Sequence, residues 1–173
     1  MTDAPFDPFA VYDNSTLVAS DPIEIGAPAS VVWEVLTDMP NYGVWNPFCV
    51  HAESTLEMGA PVTMSLVDYT GGGQLAPNVE HVCAFEPERL LSWELRDNPV
   101  WPYPARRDQV IEALGPDRCR YLSTDAFLGP NGVHVMHFCG AWVKRAFDDT
   151  ARALKKRAEA IHAERGGKQE SAA

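Results

Sequence analysis

The sequence is short of positive charge. Its 173 residues carry 24 acidic side chains against 14 Lys and Arg, which gives a formal net charge of -10. Binding to a nucleic-acid backbone depends on Lys and Arg contacts to phosphates, so this balance argues against a nucleic-acid partner. At about 150 residues per domain, the length predicts one domain.

Long apolar runs and paired cysteines are also missing. The chain has no run of about 18 apolar residues, which argues against membrane insertion. The segment Met1–Pro5 has no basic patch before an apolar core, so we expect no secretory signal and a cytoplasmic protein. The 4 cysteines stand far apart, which favours reduced thiols over a disulfide frame or a zinc site.

Turn-forming residues divide the first two thirds of the chain into a helical region and strands. Residues 17–25 are predicted to form a strand, and an apolar stripe after Pro28 predicts a helix, with a second short helix before Pro47. Short, turn-bounded segments then predict six antiparallel strands at 48–57, 61–69, 78–86, 90–95, 107–114 and 118–128.

The C-terminal part of the chain has a helical period. Val143, Phe147, Leu154 and Ile161 share one face of a helix predicted at 141–164, and a start near Val133 is the alternative. This helix is expected to cover the apolar face of the sheet. The predicted divisions are an irregular arm at 1–16, one domain at 17–165 and a disordered tail at 166–173.

Several distinct motifs lie within residues 20–162. They are Ile23-Glu24-Ile25-Gly26-Ala27-Pro28, Val31-Val32-Trp33-Glu34-Val35-Leu36-Thr37-Asp38, Trp45-Asn46-Pro47-Phe48, Gly59-Ala60-Pro61-Val62 and Phe85-Glu86-Pro87-Glu88-Arg89-Leu90-Leu91-Ser92-Trp93. With these motifs the chain resembles the START-like, or Bet v 1-like (SRPBCC), superfamily, and within it the polyketide cyclase/dehydrase type.

The resemblance implies an α+β helix-grip fold. In this fold a seven-stranded curved antiparallel sheet wraps around a long C-terminal helix, with two short helices after the first strand and an internal hydrophobic cavity. The resemblance implies no single function, because members include carriers, aromatase/cyclases and lyases. The function therefore has to be inferred from the residues that face the cavity.

Strand alternation predicts which side chains face the interior. Glu80 and Glu86 share one face of the strand at 78–86, so we expect that face to meet water and His81 to point inward. Buried polar groups cost about 1–3 kcal/mol each unless they are paired, which favours a cavity that orients a polar aromatic molecule or moves protons. Other polar side chains predicted to point inward are Asp68, Arg107, Gln109, Tyr121, Ser123 and Asp125.

His81 is the predicted catalytic acid or base, because an imidazole titrates near neutral pH. Asp125 is expected to orient it, Arg107 to bind an anionic group or a developing enolate, and Tyr121 to donate a hydrogen bond to a phenol or carbonyl. The alternatives are a core histidine with structural partners and an internal Asp125–Arg107 ion pair that holds the mouth of the sheet.

Aromatic and histidine side chains are the main candidate substrate contacts. Trp101 and Tyr103 lie in a Pro-rich loop at 96–106, which predicts a lid over the cavity. His134 and His137 stand three residues apart; we expect no metal and no cofactor, and a metal at this pair is the alternative. The expected substrate-binding residues are Trp45, Asp68, Trp93, Trp101, Tyr103, Gln109, Ser123, Phe127, His134, His137 and Phe147.

The predicted function is binding of a hydrophobic or aromatic small molecule, followed by cofactor-independent acid/base chemistry of the lyase or cyclase/dehydratase type. A non-catalytic carrier or sensor of a hydrophobic ligand is the first alternative. The second alternative is an interaction module that uses the sheet surface, which a cavity smaller than a few hundred Å³ would favour. The sequence is compatible with a homodimer.

Overall fold

The computed structural model describes residues 13–96 and 102–170. It has the predicted α+β helix-grip architecture, in which one curved antiparallel sheet packs against a long C-terminal helix. We call the sheet face toward that helix the inner face and the opposite one the outer face.

Within residues 13–96 and 102–170, eight strands form the sheet. Their order is β1-β8-β7-β6-β5-β4-β3, and β2 also pairs with β8. The pairings are antiparallel, as the short turns between strands predict. The strands are β1 (Leu17–Ala19), β2 (Ile23–Ile25), β3 (Cys49–Glu53), β4 (Pro61–Val67), β5 (Leu75–Glu86), β6 (Leu90–Leu95), β7 (Ala105–Gly115) and β8 (Arg118–Phe127).

The predicted first strand is two strands, because the chain breaks its pairing at Asp21 and Pro22. Pro22 has no N–H for the ladder. Ser20 replaces the lost pairing: its N–H donates to the Ser123 carbonyl at 2.9 Å, and its Oγ accepts from the Ser123 N–H at 3.0 Å. The Asp21 N–H donates to Asp148 Oδ1 at 2.8 Å, which ties the break to the long helix.

Three α-helices accompany the sheet in the residues that the structure describes. The last helix starts close to the alternative position near Val133 and extends past the predicted end at 164. No helix in the described part of the chain is both long enough and apolar enough to cross a membrane. The helices are α1 (Ala29–Thr37), α2 (Tyr42–Trp45) and α3 (Gly132–Glu170), and 3₁₀ turns occupy Asn14–Thr16 and Met39–Asn41.

Two apolar clusters hold α3 against the inner face. One joins α1 and the middle of α3 to the sheet, and the other surrounds the preceding turns of α3. The first includes Ile25, Val32, Leu36, Leu91, Leu154 and Ala158. The second is Val18, Phe48, Phe127, Val143, Ala146 and Phe147.

Gly132 lets α3 start directly against the end of β8. A Cβ on Gly132 would lie 2.3 Å from the Phe127 carbonyl oxygen, so an added methyl group would force the backbone to move. We expect Gly132→Ala to lower the free energy of unfolding by about 1–3 kcal/mol in chemical denaturation. The control is Gly115→Ala, since the described residues place no atom within 4 Å of a Cβ there. Equal losses in the two variants would contradict the close approach.

Candidate functional site

An internal cavity lies where the two apolar clusters meet, between α3 and the inner face. Its volume is about 20 Å³, enough for a water molecule. Ligand pockets usually measure about 300 Å³ or more. The lining residues are Tyr42, Asn46, Phe48, Cys49, Met64, Trp93, Arg107, Gln109, Tyr121, Ser123, Phe147 and Thr150.

Four buried polar atoms of the lining residues have no hydrogen-bond partner among the described residues. They are Trp93 Nε1, Arg107 Nε, Gln109 Nε2 and the Tyr121 hydroxyl. The three nitrogens can only donate, and the hydroxyl can donate as well. Such unpaired groups cost about 1–3 kcal/mol each, so the fold maintains a donor-rich interior at a loss of stability.

Arg107 lies between two buried carboxylates beside this cavity. Its Nη2 donates to Glu80 Oε1 at 3.3 Å and lies 4.0 Å from Asp125 Oδ2. The guanidinium carbon also lies 5.6 Å from the ring centroid of Phe48 and 5.2 Å from that of Phe147. One cation therefore faces two acids in an apolar surrounding.

The strand register explains this grouping. Arg107 on β7 is the register partner of Asp125 on β8 and, on its other side, of Trp93 on β6. Glu80 lies on β5, one strand beyond Trp93, where the Asn78 side-chain amide donates to its Oε1 at 2.7 Å. Four adjacent strands thus bring the cluster together.

The prediction that His81 points inward is wrong. On β5 the buried side chains are Glu80 and Val82, which are 5% and 1% exposed, whereas Val79, which alternates with Glu80 as His81 does, is 46% exposed. His81 therefore lies on the outer face, away from the cavity. From the sequence alone, a glutamate at position 80 is expected to be exposed to solvent. Its burial is possible because Arg107 supplies a counter-charge.

Three other predicted contacts also lie away from the cavity. Asp68 follows β4 and stabilises the β4–β5 turn, where its Oδ1 accepts from the Thr70 N–H at 2.7 Å and from the Thr70 hydroxyl at 2.6 Å. His134 and His137 are exposed on the first turns of α3. In the described ranges, no group of three or more His, Cys, Asp or Glu could hold a metal ion.

The loop predicted to form a lid is described only in part. Trp101 lies outside the described residues. Tyr103 is half-buried, and the next residue, Pro104, accepts a hydrogen bond from the Leu128 N–H at 2.8 Å. The described end of the loop thus contacts the segment that leads into α3, and its role as a lid stays a prediction.

The remaining predicted residues lie on the inner face or in the core around it. Trp93, Arg107, Gln109, Tyr121, Ser123 and Phe147 line the cavity. Asp125 is buried beside Arg107, and Phe127 belongs to the second apolar cluster. Trp45 is half-buried and packs edge-on against Tyr42, with ring centroids 5.2 Å apart.

Asn46 is a lining residue that the sequence predictions miss. Its Oδ1 accepts from the N–H groups of Phe48 at 2.9 Å and Cys49 at 2.8 Å, and from the Thr150 hydroxyl of α3 at 3.4 Å. It thereby joins the start of β3 to the long helix beside the cavity. Its position before Pro47 is the available signal, because Asn side chains commonly bond nearby backbone at such junctions.

A family model agrees with this architecture. This family model describes polyketide cyclase/dehydrase and lipid transport proteins, and it matches residues 16–159 of the chain. The chain belongs to this family. The match confirms the predicted resemblance to polyketide cyclase/dehydrase-type members of the START-like superfamily. Among proteins of curated function, none matches the chain significantly.

Solved structures share the fold of this polyketide cyclase/dehydrase family member. The Zhui aromatase/cyclase from Streptomyces sp. R1128 is 21% identical, with a TM-score of 0.65 over 83% of this chain and 93% of that one. A protein from Nitrosomonas europaea is 17% identical, with a TM-score of 0.64; the match covers 93% of this chain and 99% of that one. A point mutant of norcoclaurine synthase from Thalictrum flavum is 15% identical, with a TM-score of 0.59; the match covers 82% of this chain and 92% of that one. At these identities the likeness shows the fold alone.

Burial changes the protonation of the charged cluster in this family member. Burial raises the pKa of Asp125 to about 7; the charge of Arg107 opposes that shift and the charge of Glu80 adds to it. Burial also raises the pKa of Glu80, against the effects of Arg107 and Asn78. For Arg107, burial alone would lower the pKa, but the two carboxylates outweigh it and the pKa rises. The carboxylates share one counter-charge, so their titrations are coupled, and burial favours the protonated form of each.

Proposed function

We propose that this protein binds a hydrophobic or aromatic small molecule beneath α3 and transforms it by cofactor-independent acid/base chemistry of the lyase or cyclase/dehydratase type. The observation that carries the proposal is the Glu80–Arg107–Asp125 cluster beside the donor-rich cavity. A general acid or base works best when its pKa lies near the working pH. The pKa of about 7 at Asp125 meets this condition.

Asp125 takes the acid/base role in this proposal, in place of His81. Its carboxylate removes a proton from the carbon next to a ligand carbonyl, and the C–H electron pair moves toward the carbonyl oxygen to form an enolate. Arg107 and Tyr121 stabilise that oxygen. Collapse of the enolate expels a β-hydroxyl group, which regains the proton from Asp125 and leaves as water.

The apolar part of the lining supports a hydrophobic or aromatic ligand. Phe48, Met64 and Phe147 line the cavity together with Trp93. Aromatic rings favour edge-to-face and offset contacts with another ring, and each such pair contributes about 0.5–1.5 kcal/mol beyond its buried area. Structural neighbours named as an aromatase/cyclase and a synthase support catalysis on this fold.

A ligand needs more room than the present cavity of about 20 Å³. Phe48 packs edge-on against Tyr69 and Trp142, with ring centroids 5.7 Å and 6.3 Å apart, and it is tilted toward Phe147 at 6.2 Å. In our proposal, outward rotation of the Phe48 and Phe147 rings enlarges the cavity toward the first turns of α3. The small volume alone favours an interaction module, but such a module has no use for four unpaired donors in its interior.

Substitution of Asp125 tests the catalytic part of the proposal. With an aryl β-hydroxyketone as probe, we expect Asp125→Asn to slow the loss of water by about 10²–10⁴-fold, because the amide cannot exchange a proton as a carboxylate does. Mass spectrometry of the product measures the rate. The control is His81→Gln, which changes a side chain on the outer face and should keep the rate.

Two outcomes would contradict the catalytic proposal. One is an unchanged rate in Asp125→Asn, which would assign the chemistry to another group. The other is a wild-type protein that binds the ketone and returns it intact after long incubation. The second outcome would favour the carrier, the alternative that the lipid-transport part of the family description supports.

A further inference from the structure

We infer that the outer face of β6, β7 and β8 is a docking surface for residues 1–12 of the same chain. These twelve residues lie outside the described ranges, so the inference is drawn from the sheet that they would cover. The surface lies on the side of the sheet opposite the cavity. The inference therefore goes beyond the proposed function and does not depend on it.

The outer face of these three strands is buried. Its side chains alternate with those that face α3, and the most exposed of six of them, Val110, is only 6% exposed. On the neighbouring strand β5, the outer-face residue Val79 is 46% exposed. Burial of the outer face is therefore confined to one part of the sheet. The six residues are Leu90 and Ser92 on β6, Asp108 and Val110 on β7, and Thr124 and Ala126 on β8.

The helices of the described ranges do not account for this burial. Helices α1 and α3 pack in the first apolar cluster with Leu91, which is on the inner face, and Tyr42 of α2 lines the cavity. All three helices thus lie on the inner side. The buried outer residues are also neighbours across the strands, since Asp108 is the register partner of both Ser92 and Thr124. One continuous patch therefore needs a cover from outside the described ranges.

The position of β1 favours residues 1–12 as that cover. The described chain begins at Asp13, shortly before β1, and β1 pairs with β8 at the buried end of the sheet. Adjacent strands lie about 4.8 Å apart, so the distance from β1 across to β6 is about 15 Å. Twelve extended residues can span about 40 Å. The segment is therefore long enough to cross the whole buried patch.

The other segments outside the described ranges are less well placed. Residues 97–101 follow the end of β6 at Leu95, whereas the buried Leu90 begins that strand. At about 3.3 Å per residue, these two ends of β6 are about 16 Å apart. Residues 171–173 follow α3, which lies on the inner side. Residues 1–12 are therefore the segment that fits the patch best.

The composition of residues 1–12 also suits this surface. Pro5 and Pro8 have no N–H to donate to a strand ladder, which favours a segment that lies across a sheet over one that extends its edge. The carboxylate of Asp108 in the patch already accepts from the Ser92 hydroxyl at 2.5 Å and from Arg106 Nε at 2.9 Å. An apolar cover therefore leaves that acid paired. The apolar side chains of the segment beyond Met1 and the prolines are Ala4, Phe6, Phe9, Ala10, Val11 and Tyr12.

A thiol placed in the patch of the full chain tests the inference. Thr124→Cys introduces this thiol at a fully buried position, where the threonine hydroxyl has no hydrogen-bond partner among the described residues. We expect iodoacetamide to alkylate the thiol slowly. Adding Phe6→Ser and Phe9→Ser should raise the rate by about tenfold or more, because alkylation requires access to the sulfur. Peptide mass spectrometry measures the rate at each cysteine separately.

Three controls separate loss of the cover from loss of the fold. Asp3→Ser with Asp7→Ser changes two polar residues of the same segment and should leave the patch thiol protected. Val79→Cys places a thiol on the exposed part of the outer face, where the phenylalanine substitutions should not change its rate. Cys49 and Cys119 are buried on the inner face and should stay unreactive in every variant, which shows that the domain remains folded.

Each outcome supports or overturns the inference. A faster rate at the patch thiol alone, after substitution of Phe6 and Phe9, supports it. Rapid alkylation of that thiol without those substitutions shows that the patch is open, and an unchanged slow rate with them assigns the cover to another segment; either result overturns the inference. Protection that disappears on dilution assigns the cover to a second copy of the chain and overturns it as well.

Discussion

Replacement of Arg107 by methionine is expected to lower the free energy of unfolding by about 3–5 kcal/mol at neutral pH. The change removes the cation that faces Glu80 and Asp125 and leaves two carboxylates buried near each other. Methionine keeps most of the apolar volume between Phe48 and Phe147, so the loss reports the charge rather than a cavity. Urea denaturation followed by tryptophan fluorescence measures the difference.

Two further variants make the Arg107 result interpretable. Arg118→Met removes an exposed guanidinium on β8 that lies 3.8 Å from Glu24, and it should cost less than about 1 kcal/mol. Adding Glu80→Gln and Asp125→Asn to Arg107→Met removes both uncompensated acids and should restore part of the lost stability. If Arg107→Met costs no more than Arg118→Met, or if the triple variant recovers nothing, the described cluster does not control stability.

The second large effect is a loss of stability as the pH rises from about 4 to about 7. The pKa of Asp125 is about 7 in the folded protein and has an ordinary value of 3.8. Between these values the folded state holds a proton that the unfolded state releases, so stability decreases with increasing pH. The contribution is fully present below the lower pKa and is lost above the higher one, with a total on the order of 2–4 kcal/mol.

Asp125→Asn measures the part of this pH dependence that requires the Asp125 carboxyl, including its coupling to Glu80. The stability of the variant relative to wild type should rise between pH about 4 and about 7 and then stay constant. Denaturation curves at several pH values give this difference directly. A flat difference for Asp125→Asn would show that its carboxyl titrates normally.

Alternation along a strand predicts two faces, but it does not say which one is buried. On β8 the prediction is correct, since Tyr121 and Ser123 line the cavity and Asp125 lies beside Arg107. On β5 it selects the wrong face, because the burial of Glu80 depends on Arg107, which lies two strands away. Electrostatic pairing between non-neighbouring strands is not visible in the alternation of a single strand.

The general arrangement of strands and helices is predictable because each element has its own period. Local exceptions depend on contacts made after folding. Gly140 does not interrupt α3, so the helix begins at Gly132 and carries His134 and His137 on its exposed first turns. The cavity volume depends on how the Phe48 and Phe147 rings pack against each other, and no pattern in the sequence predicts that packing.

The pairing of β1 and β2 with β8 has a consequence for how the chain is made. Leu17 pairs with Ala126, so strand β1 is synthesised about 110 residues before its partner strand. During that interval β3 to β7 can form hairpins with their sequence neighbours, whereas the N-terminal strands cannot. Long-range pairing of this kind slows folding and leaves strand edges exposed to aggregation. Synthesis of β8 and α3 therefore completes the sheet in one late step that brings together both ends of the domain.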